Sequence, residues 1–255
     1  MNRCVEVLKK VKVARADKEG LRFFLVAGDE PFNMGTLESE SGAIVGLPWN
    51  FVYKDTDEIN KQEIRVFGDQ IVNWDSRFGS KLLETLVMTE KEQKFAIARE
   101  IYMTDTYRRI GLPGLAVATA VFGLTCKGYV NKYPGTVNLS KPLRGCVKAG
   151  IVFICLLNFI MLRDALNMYY EKKADKRAAD LGEEYFDGGL SYYAKMLQRG
   201  KAYRALMGEE GPKYFTPEGD EKRPLWHYLL VQRSIPLYAR VNYLNEERAK
   251  HFDVD

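Results

Sequence analysis

Arg99, Glu100 and Met103 stand at the spacing of a zinc-binding helix, but two of the three side chains are wrong for zinc. In the motif His-Glu-x-x-His, two imidazoles one helical turn apart hold the metal. The intervening glutamate acts as general base on the metal-bound water. Within Phe95-Ala-Ile-Ala-Arg-Glu-Ile-Tyr-Met103 the histidine positions are taken by Arg99 and Met103. A guanidinium stays protonated, offers no lone pair and repels a cation. A thioether is a soft, weak donor, poorly matched to zinc among oxygen ligands. Glu100 is retained, and Glu171-Lys-Lys-Ala-Asp175 places two further carboxylates on one face of a second helix. Arg99, Glu100, Met103, Glu171 and Asp175 therefore read as the positions of a degenerate site, with no catalytic, cofactor-binding or metal-binding residue. Arg99 is expected to pair with Glu171 or Asp175, an ion pair replacing a metal crosslink. The plainer alternative leaves it facing water.

Little else in the chain carries chemistry. The histidines, His227 and His251, have no Cys, His or carboxylate at ligand spacing and read as surface residues. Cys4, Cys126, Cys146 and Cys155 form no C-x-x-C, and the last three fall in or beside apolar runs, as small hydrophobes do. Phosphate-binding glycine loops and a Gly-x-Ser-x-Gly elbow are lacking. Gly111-Leu-Pro-Gly114 reads as a turn leading into a helix. Tyr185, Phe186, Tyr192 and Tyr193 read as packing or membrane-interface aromatics. A net charge of +4 over 255 residues is mildly basic and comes without a dense basic face, so no nucleic acid is expected as a partner.

The carboxylate-bearing segments need helices to carry them. Thr89 followed by Glu92 is a capping box, and Phe95, Ile97, Ala98 and Ile101 form the apolar part of the helix it opens. Ahead of it, Val5–Val13 reads as a short helix and Phe78–Leu86 as another. Leu21–Val26, Gly42–Tyr53 with a break near Pro48, and a hairpin of Glu63–Phe67 with Gln70–Trp74 read as strands of a small antiparallel sheet. Residues 112–125 and 149–162 contain no charge. Each run has about 14 residues, short of the ~20 that cross a bilayer, but flanking Lys127, Lys148 and Arg163 can snorkel and lengthen both. The second run is apolar all round except Asn158, which favours lipid over a half-solvated helix. Lys127, Lys132, Lys141, Arg144 and Lys148 lie between the runs with no acid among them. This places loop 127–148 on the cytoplasmic or matrix side and the soluble part opposite. Beyond the second run, Asp164–Gly182 continues as a polar helix. Gly188-Gly189 reads as a break, Leu190–Arg199 and Lys201–Met207 as helices stopped by Gly200 and Gly208, and the tail from Pro224 to Ala249 as helix interrupted at Pro236. The opening residues carry no apolar stretch of signal-peptide type, and the early Glu6 and Asp17 argue against a transit peptide.

Five stretches, in order and spacing, resemble the transmembrane protein 177 family: Gly42-Ala-Ile-Val-Gly-Leu-Pro48, Val72-Asn-Trp-Asp75, Glu92-Gln-Lys-Phe-Ala-Ile-Ala-Arg-Glu100, Gly188-Gly-Leu-Ser-Tyr-Tyr-Ala-Lys-Met-Leu197 and Lys213-Tyr-Phe-Thr-Pro-Glu-Gly219. The resemblance spans about Gly42 to Arg240. It implies a mitochondrial inner-membrane protein that assists cytochrome c oxidase assembly by associating with newly made subunit 2 and its membrane chaperone. Members have a further span near the N-terminus, and this chain begins beyond it. The resemblance brings no binding residues. Glu100, Glu171, Asp175 and the interposed hairpin also resemble, more distantly, membrane zinc metallopeptidases, and Ile235-Pro236 with Arg240 echoes their C-terminal segment.

The expected molecule is an α+β membrane protein: a metallopeptidase-like domain with a small antiparallel sheet, helices and an inserted two-helix transmembrane hairpin. Residues 1–110 and 167–255 form two parts of one soluble domain, and 111–166 form the hairpin. Its expected function is that of a non-catalytic assembly factor without cofactor. Subunit 2, its chaperone and the bilayer are the partners, the soluble domain faces the intermembrane space, and loop 127–148 faces the matrix. The alternatives are an active membrane zinc metallopeptidase and a soluble binding module whose helical hairpin is buried.

Overall fold

In the computed structural model, which describes residues 2–13, 20–66, 70–223, 227–231 and 233–252, one helix is enclosed by nearly everything else. This helix, α3 (Glu90–Thr104), opens at Thr89 with the capping box formed: the Thr89 N–H donates to Glu92 at 2.7 Å and the Glu92 N–H returns to the Thr89 hydroxyl at 3.4 Å. Beyond its exposed first two residues it is buried throughout except at half-buried Arg99, and the buried residues include the charged Glu92, Lys94 and Glu100. Burial of a charge is tolerated where a partner replaces water, and each has one. Glu92 takes Lys195 at 2.6 Å and the Ser191 hydroxyl at 2.5 Å. Lys94 is ringed by Glu6, Glu90 and Glu184 at 2.9, 3.0 and 3.0 Å.

Around α3 lie α1 (Asn2–Lys10), a sheet, α6 (Lys141–Ala179) and α7 (Glu183–Leu206). The sheet has order β1-β3-β2, from β1 (Leu21–Val26), β2 (Phe32–Gly35) and β3 (Ala43–Pro48). It is mixed, not antiparallel as expected: β1 runs parallel to β3, and β2, which the sequence pattern did not reveal, runs antiparallel to it. A four-residue strand is too short to show an alternation. Leu21, Ala43, Val45 and Leu47 face α3 and join one core with Phe95, Ile97 and Ile101. The expected hairpin shrinks to β4 (Arg65–Val66) and β5 (Gln70–Ile71); residues 67–69, its turn, lie outside those described. A second, smaller cluster joins Val66 and Val72 to Leu82 of α2 (Arg77–Leu86) and to Ala202 and Met207.

Two expected breaks are absent. The run from Glu183 to Leu206 is one helix, passing through Gly188, Gly189 and Gly200. These glycines serve packing instead. A Cβ at Gly188 would come within 2.3 Å of the Lys91 carbonyl, at Gly189 within 2.7 Å of the Phe95 ring, and at Gly200 within 1.9 Å of the Gly219 carbonyl. The helix lies so close to α3 and to the 216–220 turn that only hydrogen fits. Likewise Gly111-Leu-Pro-Gly114 does not precede a helix; it lies inside α4 (Arg108–Lys132).

The apolar hairpin is α4 and α6, joined through the short α5 (Pro134–Val137). Lys132 thus closes α4 and Lys141 opens α6, and the connection itself is brief. Two stretches, Ile110–Lys132 and Lys141–Ala179, are long and apolar enough to cross a membrane, and neither apolar window is buried in the fold. That departs from a soluble module with a buried hairpin: α4 and α6 pack on each other, with Gly123 against the Cys155 sulfur, and among the described residues nothing covers their apolar outer faces. α6 does not end with its apolar part. It continues unbroken into the soluble body, where Ala174 and Ala178 let it approach α3 closely. The C-terminal region adds α8 (Gly211–Tyr214), α9 (His227–Leu230) and α10 (Leu237–Phe252). His227 is half-buried at the start of α9, not on the open surface; the His251 side chain lies outside those described.

Candidate functional site

α3 and α6 cross where the sequence places its carboxylates. Arg99 donates from Nε to Asp175 Oδ1 at 2.8 Å and also holds its neighbour Glu100. The guanidinium thus meets one of the two acids expected of it. Glu100, 1% exposed, takes a second bond from Asn33 Nδ2 of β2 at 2.6 Å. Glu100 thus accepts one bond on each carboxylate oxygen, from Arg99 on one and from Asn33 on the other. Met103 is buried and belongs to the apolar core.

A second arginine completes the arrangement. Arg240 of α10, 3% exposed, donates to Asp175 Oδ2 and to Glu171 Oε2, each at 2.6 Å. It also reaches the Ser234 hydroxyl at 3.0 Å and the Ile235 carbonyl at 3.2 Å. The Tyr193 hydroxyl of α7 donates to Asp175 Oδ1 at 2.6 Å. Three carboxylates, two guanidiniums and a phenol therefore share one buried cage, drawn from α3, α6, α7 and α10. Burial and then the adjacent Asp175 push the Tyr193 phenol well above its usual range, so it stays a donor. Burial opposes the charge of both arginines, but the acids around them outweigh it and hold both guanidiniums protonated.

The cage forms one wall of a cavity of about 560 Å³, lined also by Phe32, Met103, Tyr192, Met196 and Arg108. Both guanidiniums point at the carboxylates of this wall, Arg99 at Asp175 and Glu100, and Arg240 at Asp175 and Glu171. Among the described residues no group of three or more His, Cys, Asp or Glu is arranged to hold a metal.

Sequence reasoning missed how α6 organises the C-terminal segment. Asp164, Asn167, Glu171 and Asp175, at helical spacing on one face, each hold part of residues 233–240. Asp164 accepts from the Arg233 N–H at 3.2 Å, and Asn167 donates to the Arg233 carbonyl at 2.9 Å. Glu171 takes the Ile235 N–H at 2.9 Å and the Ser234 hydroxyl at 3.0 Å, and Asp175 takes Arg240. The signal was available: a polar stripe at 3- and 4-residue steps continuing from an apolar helix demands a partner. Which segment supplies that partner was not readable.

With this geometry in view, comparison with known proteins decides the family. The model of transmembrane protein 177 matches residues 27–233. The chain belongs to the transmembrane protein 177 family. The zebrafish (Danio rerio) member is 30% identical over 225 residues, covering 84% of this chain and 69% of that protein. The human member is 30% identical over 195 residues, covering 75% and 61%, and the mouse member 28%, covering the same shares. The aligned part thus spans about three fifths to two thirds of the relatives' length. No solved structure matches the chain. The region matched to transmembrane protein 177 takes in both apolar helices and Arg99, Glu100, Met103, Glu171 and Asp175, and stops short of Arg240.

Proposed function

We propose that this chain is a non-catalytic, membrane-anchored assembly factor of the mitochondrial inner membrane. In this reading it associates with and stabilises newly made cytochrome c oxidase subunit 2 and its membrane chaperone, as the family resemblance implies. The observation that carries the non-catalytic part is Arg99. A permanent cation stands at a ligand position of the degenerate site and is ion-paired to the acid on the facing helix at 2.8 Å. Ion pairs and hydrogen bonds then do the crosslinking that a metal would do in a metallopeptidase-like ancestor. The anchoring part is supported by two uncovered apolar helices and by the family. Basic residues cluster at the α4–α6 turn, which supports a turn in the matrix and a caged body in the intermembrane space.

The test is depletion of the protein followed by pulse-chase labelling of mitochondrial translation products, together with its purification from mildly solubilised mitochondria. Faster loss of newly made subunit 2 and its co-purification with the tagged protein are expected. An unchanged half-life with no co-purification refutes the reading, and stoichiometric zinc in the purified protein would return hydrolysis to the lead.

A further inference from the structure

Arg163 ends the charge-free run of α6, and a residue there would ordinarily reach out toward lipid headgroups. It does not. Its side chain is buried, with Nη1 donating to the Leu229 carbonyl and Nη2 to the Val231 carbonyl, both at 3.2 Å. Nε and Nη2 also bond Asp164, at 3.0 and 2.8 Å. Asp164 and Asn167 then fix Arg233. The end of α9 and the residues after it are therefore fastened to α6 at the turn where its apolar part stops.

That height has a physical meaning. Gly111 of α4 lies against Leu166 and Tyr170 of α6, so Arg163 is level with the first fully apolar turn of α4. The next residues toward the hairpin tip, Met161 and Leu162, are 70% and 52% exposed. A two-helix hairpin has lipid on every side except its own seam, so an element fixed to α6 at Arg163 meets the bilayer directly. Leu229 and Val231 stand 54% and 38% exposed on that element. Tyr169 and Tyr107, both exposed, lie further from the membrane centre, by about 9 Å for Tyr169 and about 14 Å for Tyr107 at 1.5 Å per residue. The polar part of one leaflet, about 5–8 Å thick, therefore fits between Arg163 and those tyrosines.

We infer that His227–Val231 is a membrane-surface element whose Leu229 and Val231 side chains enter the bilayer interface beside the hairpin. The inference rests on the reading of α4 and α6 as spans. It adds a third point of contact with lipid, and that contact runs straight into Ser234, Ile235 and Arg240 of the cage. Two exposed aliphatic side chains, otherwise without cover, are thereby removed from water.

The experiment uses the full chain in phosphatidylcholine vesicles, with Cys126, Cys146 and Cys155 replaced by alanine and buried Cys4 kept. An environment-sensitive nitrobenzoxadiazole label is placed at Leu229→Cys, at Leu156→Cys within the span, and at Lys61→Cys on the soluble part. Quenching by lipid carrying a spin label near the headgroup is compared with quenching by aqueous iodide. A blue-shifted label at 229, quenched by the lipid and shielded from iodide, is expected, with 156 behaving as a span residue and 61 as an aqueous one. Lipid quenching at 156 with iodide quenching at 229 overturns the inference and leaves the spans intact. Iodide quenching at 156 overturns the spanning reading, and this inference with it.

Discussion

Removing Arg240 is the sharpest perturbation of the cage. Its guanidinium makes two 2.6 Å ion pairs, to Glu171 and Asp175, at 3% exposure, and further bonds to Ser234 and Ile235. In Arg240→Met the volume is roughly kept and the charge lost. Three carboxylates (Glu100, Glu171, Asp175) against two guanidiniums give the cage a formal −1, which becomes −2. Asp175 keeps Arg99 and Tyr193; Glu171 keeps only the Ser234 hydroxyl, the Ile235 N–H and Asn167. Leaving a buried charge without its partner costs about 3–5 kcal/mol. For a chain of this size each kcal/mol lowers Tm by about 2–4 °C, so the loss is about 6–20 °C. Arg99→Met also removes two ion pairs, to Asp175 and Glu100, but at a cavity wall where its side chain is 16% exposed against 3% for Arg240, so it is expected to cost less than Arg240→Met. Intrinsic-fluorescence melting of the detergent-solubilised chain reads both. Arg240→Met combined with Glu171→Met removes both charges and is expected to recover at least a third of the single-variant loss. A shift below about 2 °C for Arg240→Met, or an Arg99 variant that is the worse of the two, refutes the cage as the crosslink of α6 to α10.

Gly200→Ala drives a methyl group into the Gly219 carbonyl at 1.9 Å and is expected to give a chain that protease digests rapidly, whereas Gly114→Ala, where a Cβ meets nothing, leaves resistance unchanged. Thr89→Ala removes the cap of α3 and is expected to cost about 1 kcal/mol, seen as a small drop in Tm. Hydrogen bonds from Lys176, then Lys250, hold Glu247 down to about 2 from 4.5. A depressed folded pKa gives stability that is present above the unfolded value and lost as pH falls through the folded one. Melting between pH 5 and 2 should therefore weaken less steeply in Glu247→Gln than in the native chain, and parallel curves would dismiss the contribution.

The chemistry-bearing positions were legible from residue type and spacing alone. An arginine cannot ligate zinc wherever it is placed, so the loss of the motif at Arg99 and Met103 needed no coordinates. The capping box at Thr89 and Glu92 was equally local, as were the two charge-free runs, because each depends on neighbours within a few residues. Tertiary structure decided what depends on approach between distant segments. Gly188, Gly189 and Gly200 look like breaks in one dimension and prove to be contact points, since a missing Cβ matters only when another backbone arrives. The parallel pairing of β1 with β3 depends on the direction in which the chain returns, which no alternation encodes. Arg163, read as a lipid-facing cation, instead binds two carbonyls some sixty-six residues downstream. Arg240 joins Glu171 and Asp175 for the same reason: a buried carboxylate must find a donor, but the sequence states only the need, and folding of the 233–240 segment along α6 determines which donor meets it.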